Sequence, residues 1–139
     1  MLTTFNRYFE QRKNYGAIFI RVIVGWRLID GTQDNVFSWE RMIEFRDFLS
    51  QHNVIFPLLS AQLSVYAQFI CGILFILGFQ IRVAAVIMIV NFVVALLVVH
   101  LGLTFEQSFD ALMMLAGSLF LLFHGAGKFS IDNYLRQKE

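Results

Sequence analysis

Between Val83 and Leu103 the chain reads VAAVIMIVNFVVALLVVHLGL, in which only Asn91 and His100 carry markedly polar side chains. A hydrocarbon core of about 30 Å is crossed by about 20 apolar residues in a helix. Three more runs approach that length: PLLSAQLSVYAQFICGILFILGF over 57–79, FEQSFDALMMLAGSLFLLFHG over 105–125 and YGAIFIRVIVGWRLIDG over 15–31. Pro57 suits a first helical turn, where its missing N–H would have no partner anyway. The run over 105–125 is purely apolar only in its second half, and the run over 15–31 is the weakest because Arg21, Arg27 and Asp30 lie in it. Composition points the same way. The chain is 58% hydrophobic and 15% charged, against about 45–50% and about 25% in ordinary soluble domains. The expected fold is therefore all-α: an integral membrane four-helix bundle, one domain over 1–139, with spans near 15–31, 57–79, 83–103 and 105–125.

Lysine and arginine near span ends set orientation. With four spans both termini share a side, which collects Arg7, Arg12, Lys13, Arg82, Lys128, Arg136 and Lys138, whereas the opposite side holds Arg41 and Arg46, with Arg27 near a helix end. Both termini are expected to be cytoplasmic. The N-terminal MLTTFNRYFEQRKN lacks the small-residue cleavage pattern of a signal peptide, so the first span is expected to remain. Between the first two spans, Trp39, Met42, Ile43, Arg46 and Leu49 recur at three- and four-residue spacing. That spacing predicts an amphipathic helix, lying on the outer membrane surface or capping the bundle. A net charge of +1 points to neither nucleic acid nor a strongly acidic partner. The lone cysteine, Cys71, sits in an apolar run and reads as a small hydrophobe.

Depth along each span, at about 1.5 Å per residue, sorts the polar groups. Arg27, Asp30, His100, Glu106 and Asp110 converge near the outer side. Arg27 and Asp30, three apart, are expected to pair on one helix. Charges at membrane depth mark functional sites by default, although a network that only fixes helix register has the same signature. Arg21 falls about 9 Å inside the first span, placed either to reach lipid phosphates or to hold a substrate. Gln68 and Asn91 lie near the midplane, where amides join helices. His100 and His124 are separated by roughly 25–30 Å and cannot share a metal. No metal or haem pattern is present, and no hydrolase, zinc or phosphate-loop motif occurs. The groups available suit proton handling and the binding of an anion or carbonyl by arginine. No internal repeat relates the two halves, which weighs against a secondary transporter.

HGAGKFSID, at the inner end of the last run, resembles the G-x-G-[RK]-x-S-[LI]-D signature that closes proteins of the DoxX family. The residues carrying it are Gly125, Gly127, Lys128, Ser130 and Asp132. GFQIRVAAVIMIV resembles the family's Gly-x-x-x-Arg-x-Ala-Ala stretch through Gly78, Arg82, Ala84 and Ala85, and IRVIVGWRLIDGT resembles its Arg-bearing first span. The likeness runs from about Ala17 to Asp132. Locally, the two glycines permit a tight helix exit, and Ser130 with Asp132 can cap a following turn.

The resemblance implies a four-helix bacterial inner-membrane protein related to quinone-linked thiosulfate oxidoreductase subunits and to thiol and oxidative-stress systems. It implies quinone as the cofactor. Where the family often has Glu in the second span, this chain has Gln68, which removes an ionisable group, and either Glu106 or Asp110 matches the family's later acid. The leading expectation is a membrane subunit of a quinone-linked oxidoreductase. In it Arg21 or Arg27, with Asp30, Gln68 and Asn91, binds quinone or a small anion, while His100 with Glu106 or Asp110 exchanges protons. The alternative is a non-catalytic accessory or scaffold subunit of a larger membrane complex, suggested by small size and by Gly72, Ala84, Ala85, Gly117 and Ser118, which allow close helix contact. Membrane lipid is the immediate partner. A soluble or membrane partner subunit and a homo-oligomer both stay open.

Overall fold

The computed structural model describes residues 1–138. Every regular element among them is helical: α1 (Leu2–Glu10), a short 3-10 turn (Lys13–Tyr15), α2 (Gly16–Asp30), α3 (Gln33–Phe37), α4 (Trp39–Gln51), α5 (Pro57–Leu77), α6 (Ile81–Val98), α7 (Phe105–His124) and α8 (Ile131–Arg136). Three of them, α5, α6 and α7, are long and apolar enough to cross a membrane. The first expected span is shorter: α2 has 15 residues, or about 22 Å of helix. Gly31 and Thr32 end it, and α3 follows at once.

α2 packs on α5 and α7, and α6 packs on the same two helices. Their shared core contains Val24, Leu28, Phe75, Ile81, Ala84, Ala85, Met88, Phe92 and Leu121. Small residues, Gly25, Gly72, Ala84 and Ala85, sit where the helices meet, while many large apolar side chains face out. Phe19, Ile23 and Trp26 of α2, Leu63 and Ile70 of α5, and Val86, Val90 and Leu97 of α6 are all exposed. In water this arrangement would be costly, whereas in lipid it lets backbones approach and leaves bulky side chains to the acyl chains. At the tightest crossing, a Cβ on Gly25 would lie 2.6 Å from the Gly72 carbonyl oxygen, and one on Gly72 would lie 2.8 Å from that of Gly25.

The segment between α2 and α5 folds back on α5. Met42 and Leu49 of α4 are buried against Ala61 and Val65, with Phe45 beside them. Trp39, expected on the apolar face, is 59% exposed, because the Met42–Phe45–Leu49 row is the one that meets α5. The third expected span also ends early, at Val98 rather than Leu103. Gly102 at φ +85° turns the chain, and Thr104 opens α7 with a reciprocal cap to Gln107.

The α5–α6 turn is short and heavily tied. Gly78, at φ +71°, closes α5 through Gly78 N–H to Phe75 O (3.3 Å) and Phe79 N–H to Leu74 O (3.0 Å), a Schellman ending. Asp132, 51 residues beyond Ile81, then accepts the first free N–H groups of α6, from Gln80 (2.8 Å) and Ile81 (3.1 Å). The sequence suggested that Ser130 with Asp132 would cap the turn that follows. Ser130 does so, accepting from Asn133 N–H at 3.1 Å, while Asp132 is spent on α6. Asp132→Ala is expected to cost about 1–2 kcal/mol, as a lost N-cap does, read as a lowered midpoint of thermal unfolding in detergent; Asp132→Asn, which keeps one acceptor, loses less.

Candidate functional site

The end of the helices that carries both termini is fixed by Lys128 N–H donating to Asn14 O at 3.4 Å; it is called the terminal end here, and the opposite one the far end. At the far end lies a cavity of about 370 Å³. Leu28, Phe45, Val65, Phe92 and Met114 give it apolar walls, and Arg27, Gln68, His100 and Asp110 bring polar groups to it. Four of the expected site residues, from four separate stretches of chain, thus share one space.

Arg27 sits in the last turn of α2, and its Nη2–H donates to Asp110 Oδ2 on α7 at 2.7 Å. The pair is open, at 44% and 71% side-chain exposure, so its effect lies less in stability than in aiming a guanidinium. Gly31 makes room for it: a Cβ there would be 2.7 Å from Arg27 Nη1. Gln68 Nε2–H donates to Ser64 Oγ (3.0 Å), whose hydroxyl donates to Asn91 Oδ1 (2.8 Å). This ladder joins α5 to α6. Asn91 acts there, outside the cavity lining. His100 lies just past the end of α6, with Nδ1 at 3.0 Å from Ala95 O. A carbonyl only accepts, so Nδ1 carries the hydrogen and Nε2 is left to take or give a proton.

Two neighbours expected in this cluster stand apart from it. Asp30 is exposed and accepts from Gln33 at 3.4 Å. It makes no ion pair with Arg27 among the described residues, because Arg27 is turned across to Asp110. Glu106, in the first turn of α7, is exposed and outside the lining. Of the two acids, the geometry therefore brings Asp110 to the cavity. Sequence reading missed Thr32, Asn35 and Phe45, which complete its wall. Thr32 and Asn35 come from the α2–α4 connection and Phe45 from α4 itself, segments whose position no depth count along a span can give.

Arg21 is elsewhere and differently engaged. It is 2% exposed at the terminal end, where Nε–H donates to Phe75 O (2.9 Å), Nη2–H to Ile76 O (2.9 Å) and Nη1–H to both Ala126 O (2.7 Å) and Phe129 O (2.6 Å). Four of the five N–H groups of a guanidinium are thereby given to the closing carbonyls of α5 and to the loop after α7. Neither lipid phosphate nor substrate is needed to account for it. The loop itself is built on Gly125 (φ +78°) and Gly127 (φ +76°), and a Cβ on Gly127 would lie 2.8 Å from Asn14 O. Ser130 Oγ–H donates to Gly127 O at 2.8 Å. Lys128 lies over the Tyr15 ring at 5.5 Å, and Arg82 lines the hollow beside Gly125. The closing motif is a knot that ties α2, α5, α6 and α7 together.

Compared with known proteins, residues 16–101, more than half of the chain, match the family model DoxX. That match ends before the Gly125–Asp132 motif. No curated protein matches the chain, and no solved structure does.

Proposed function

The chain belongs to the DoxX family of membrane proteins, and from that premise we propose that it is the membrane subunit of a quinone-linked oxidoreductase, with the far-end cavity as its quinone site. The observation that carries this reading is the convergence of Arg27, Gln68 and His100 on one largely apolar space of about 370 Å³. Ligand pockets commonly run about 300–1,000 Å³, with apolar walls and a few placed polar groups, and a ring bearing two carbonyls fits that description. In this reading α2 is a short fourth span of an integral four-helix bundle, its outward Phe19, Ile23 and Trp26 facing lipid. The bundle lies in a bacterial inner membrane with both termini cytoplasmic, and α4 lies at the outer surface.

A bound quinone supplies two-electron, two-proton chemistry. The chain's own residues then have separate tasks. Arg27, held by Asp110, would hold a quinone by donating to one of its carbonyl oxygens. The Gln68 amide gives a neutral second contact in place of a carboxylate. His100 moves a proton through Nε2, since Nδ1–H is fixed on Ala95 O, and its place in the 99–104 turn gives the proton a path to the far-end aqueous phase. Phe92 and Met114 exclude water from the ring.

The test is purification in mild detergent followed by mass spectrometry of everything retained. A quinone is expected with the unaltered protein. Its retention should fall about tenfold or more in Arg27→Gln, the worth of one charge-assisted hydrogen bond. Gly31→Ala, which pushes the guanidinium aside without removing it, should fall in the same direction. Retention indifferent to both changes removes the assignment. A stoichiometric protein partner with no quinone would instead favour the accessory-subunit reading.

A further inference from the structure

We infer that the terminal end holds a phosphate group between Arg82 and Arg136. Two adjoining hollows lie there, of about 320 and 190 Å³, and both are lined by Arg82, Gly125, Ala126, Asp132 and Arg136. Neither arginine has a salt bridge or side-chain hydrogen bond among the described residues. Asp132 between them offsets only one of the charges gathered here and forms no ion pair with either arginine, both its oxygens accepting backbone N–H groups from Gln80 and Ile81. The buried Arg21 adds further positive charge behind it. Lys128 and His124 line the smaller hollow, and His124 Nδ1 is buried without a hydrogen-bond partner, so the ring can turn toward an anion without breaking a bond there.

Like charges gathered on a fixed scaffold repel unless a counterion is shared. The backbone here is tied down: Gly125 sits at φ +78° beside Arg82, and Asp132 anchors the start of α8 to the first turn of α6. Two guanidinium forks offer more donors than the two oxygens of a carboxylate can accept, while a phosphate presents three or four oxygens to both forks together. Leu135 forms part of the rim and is exposed, as are Phe129 and Tyr134 nearby. The chemistry is that of a phosphate on an apolar surface, and its source is either an acidic lipid headgroup or free phosphate. This inference is independent of the quinone reading, since its residues are at the other end.

The experiment is thermal unfolding of the full chain in mild detergent, titrated separately with phosphatidylglycerol, with phosphatidylcholine and with inorganic phosphate. Stabilisation by phosphatidylglycerol, absent with phosphatidylcholine and shifted to concentrations about tenfold higher or more in Arg82→Gln/Arg136→Gln, identifies a lipid headgroup. The same loss against inorganic phosphate identifies free phosphate. Arg7→Gln/Arg12→Gln, at the same end but off the hollows, should keep the full effect. If Arg82→Gln does not yield folded protein, Arg136→Gln alone should still weaken the response. No stabilisation by any of the three, or equal loss in the Arg7/Arg12 variant, overturns the site.

Discussion

Arg21→Met is expected to destabilise the protein by about 3–5 kcal/mol, because four carbonyls lose their donor together, and to leave little folded material after detergent extraction. Its four backbone acceptors, Phe75, Ile76, Ala126 and Phe129, would lose their partner at once. Each buried carbonyl so stranded costs about 1–3 kcal/mol, partly offset at Phe75 O because Gly78 N–H still reaches it. Arg21→Lys should fall between, since three donors on one ammonium cannot span acceptors on two separate segments. The readout is the thermal midpoint by fluorescence-detected gel filtration. A substrate-holding Arg21 would leave that midpoint in place and lose only binding. An unchanged midpoint in Arg21→Met would remove the structural role described above.

The second large effect is expected at Gly72. In a helix interior, alanine is favoured over glycine by about 0.8–1.0 kcal/mol, so Gly72→Ala would stabilise an open site. Here the new Cβ meets the Gly25 carbonyl oxygen at 2.8 Å and Leu28 Cβ at 3.1 Å, and backbone cannot step aside as a side-chain tip can. Overpacking of this kind costs about 1–3 kcal/mol, and Gly72→Val exceeds Gly72→Ala because a branched side chain must also fit. The net sign is destabilising for both, with α2 parted from α5. Gly16→Ala is the control: nothing lies within 4 Å of its Cβ position, and its midpoint should hold or rise. Equal midpoints for Gly16→Ala and Gly72→Ala would show that the crossing tolerates a wider spacing.

Much of this architecture was legible in the residues. Hydropathy located α5 and α7 to within two residues at each end, and depth along the spans brought Arg27, His100 and Asp110 to one level before any coordinates. What failed was pairing. Spacing on a single helix offers Asp30 as the partner of Arg27, but a side chain also has neighbours across the bundle, and Asp110, 83 residues away, is the one it meets. The surroundings of Arg21 were hidden for the same reason: nothing local reveals that carbonyls 54 and 105 residues onward converge on it. The stretch from Val99 to Leu103 was read as helix because all but His100 of its side chains are apolar or absent, although Gly102 marks the break. In the closing motif, the glycine conformations followed from the sequence, but the destination of Asp132 did not.

The terminal knot also has a consequence in time. A ribosome delivers α2 and α5 long before Ala126 and Phe129, and loop closure over more than a hundred residues is slow to bring them back. Through that interval the Arg21 guanidinium has at most the two α5 carbonyls, and the first turn of α6 lacks Asp132. The nascent helices are therefore held only provisionally by their glycine crossing, and the final register is locked when the last short segment arrives. A polypeptide stopped short of Ala126 leaves the Arg21 guanidinium with the two α5 carbonyls alone, so the buried cation is fully satisfied only once the loop after α7 has been made.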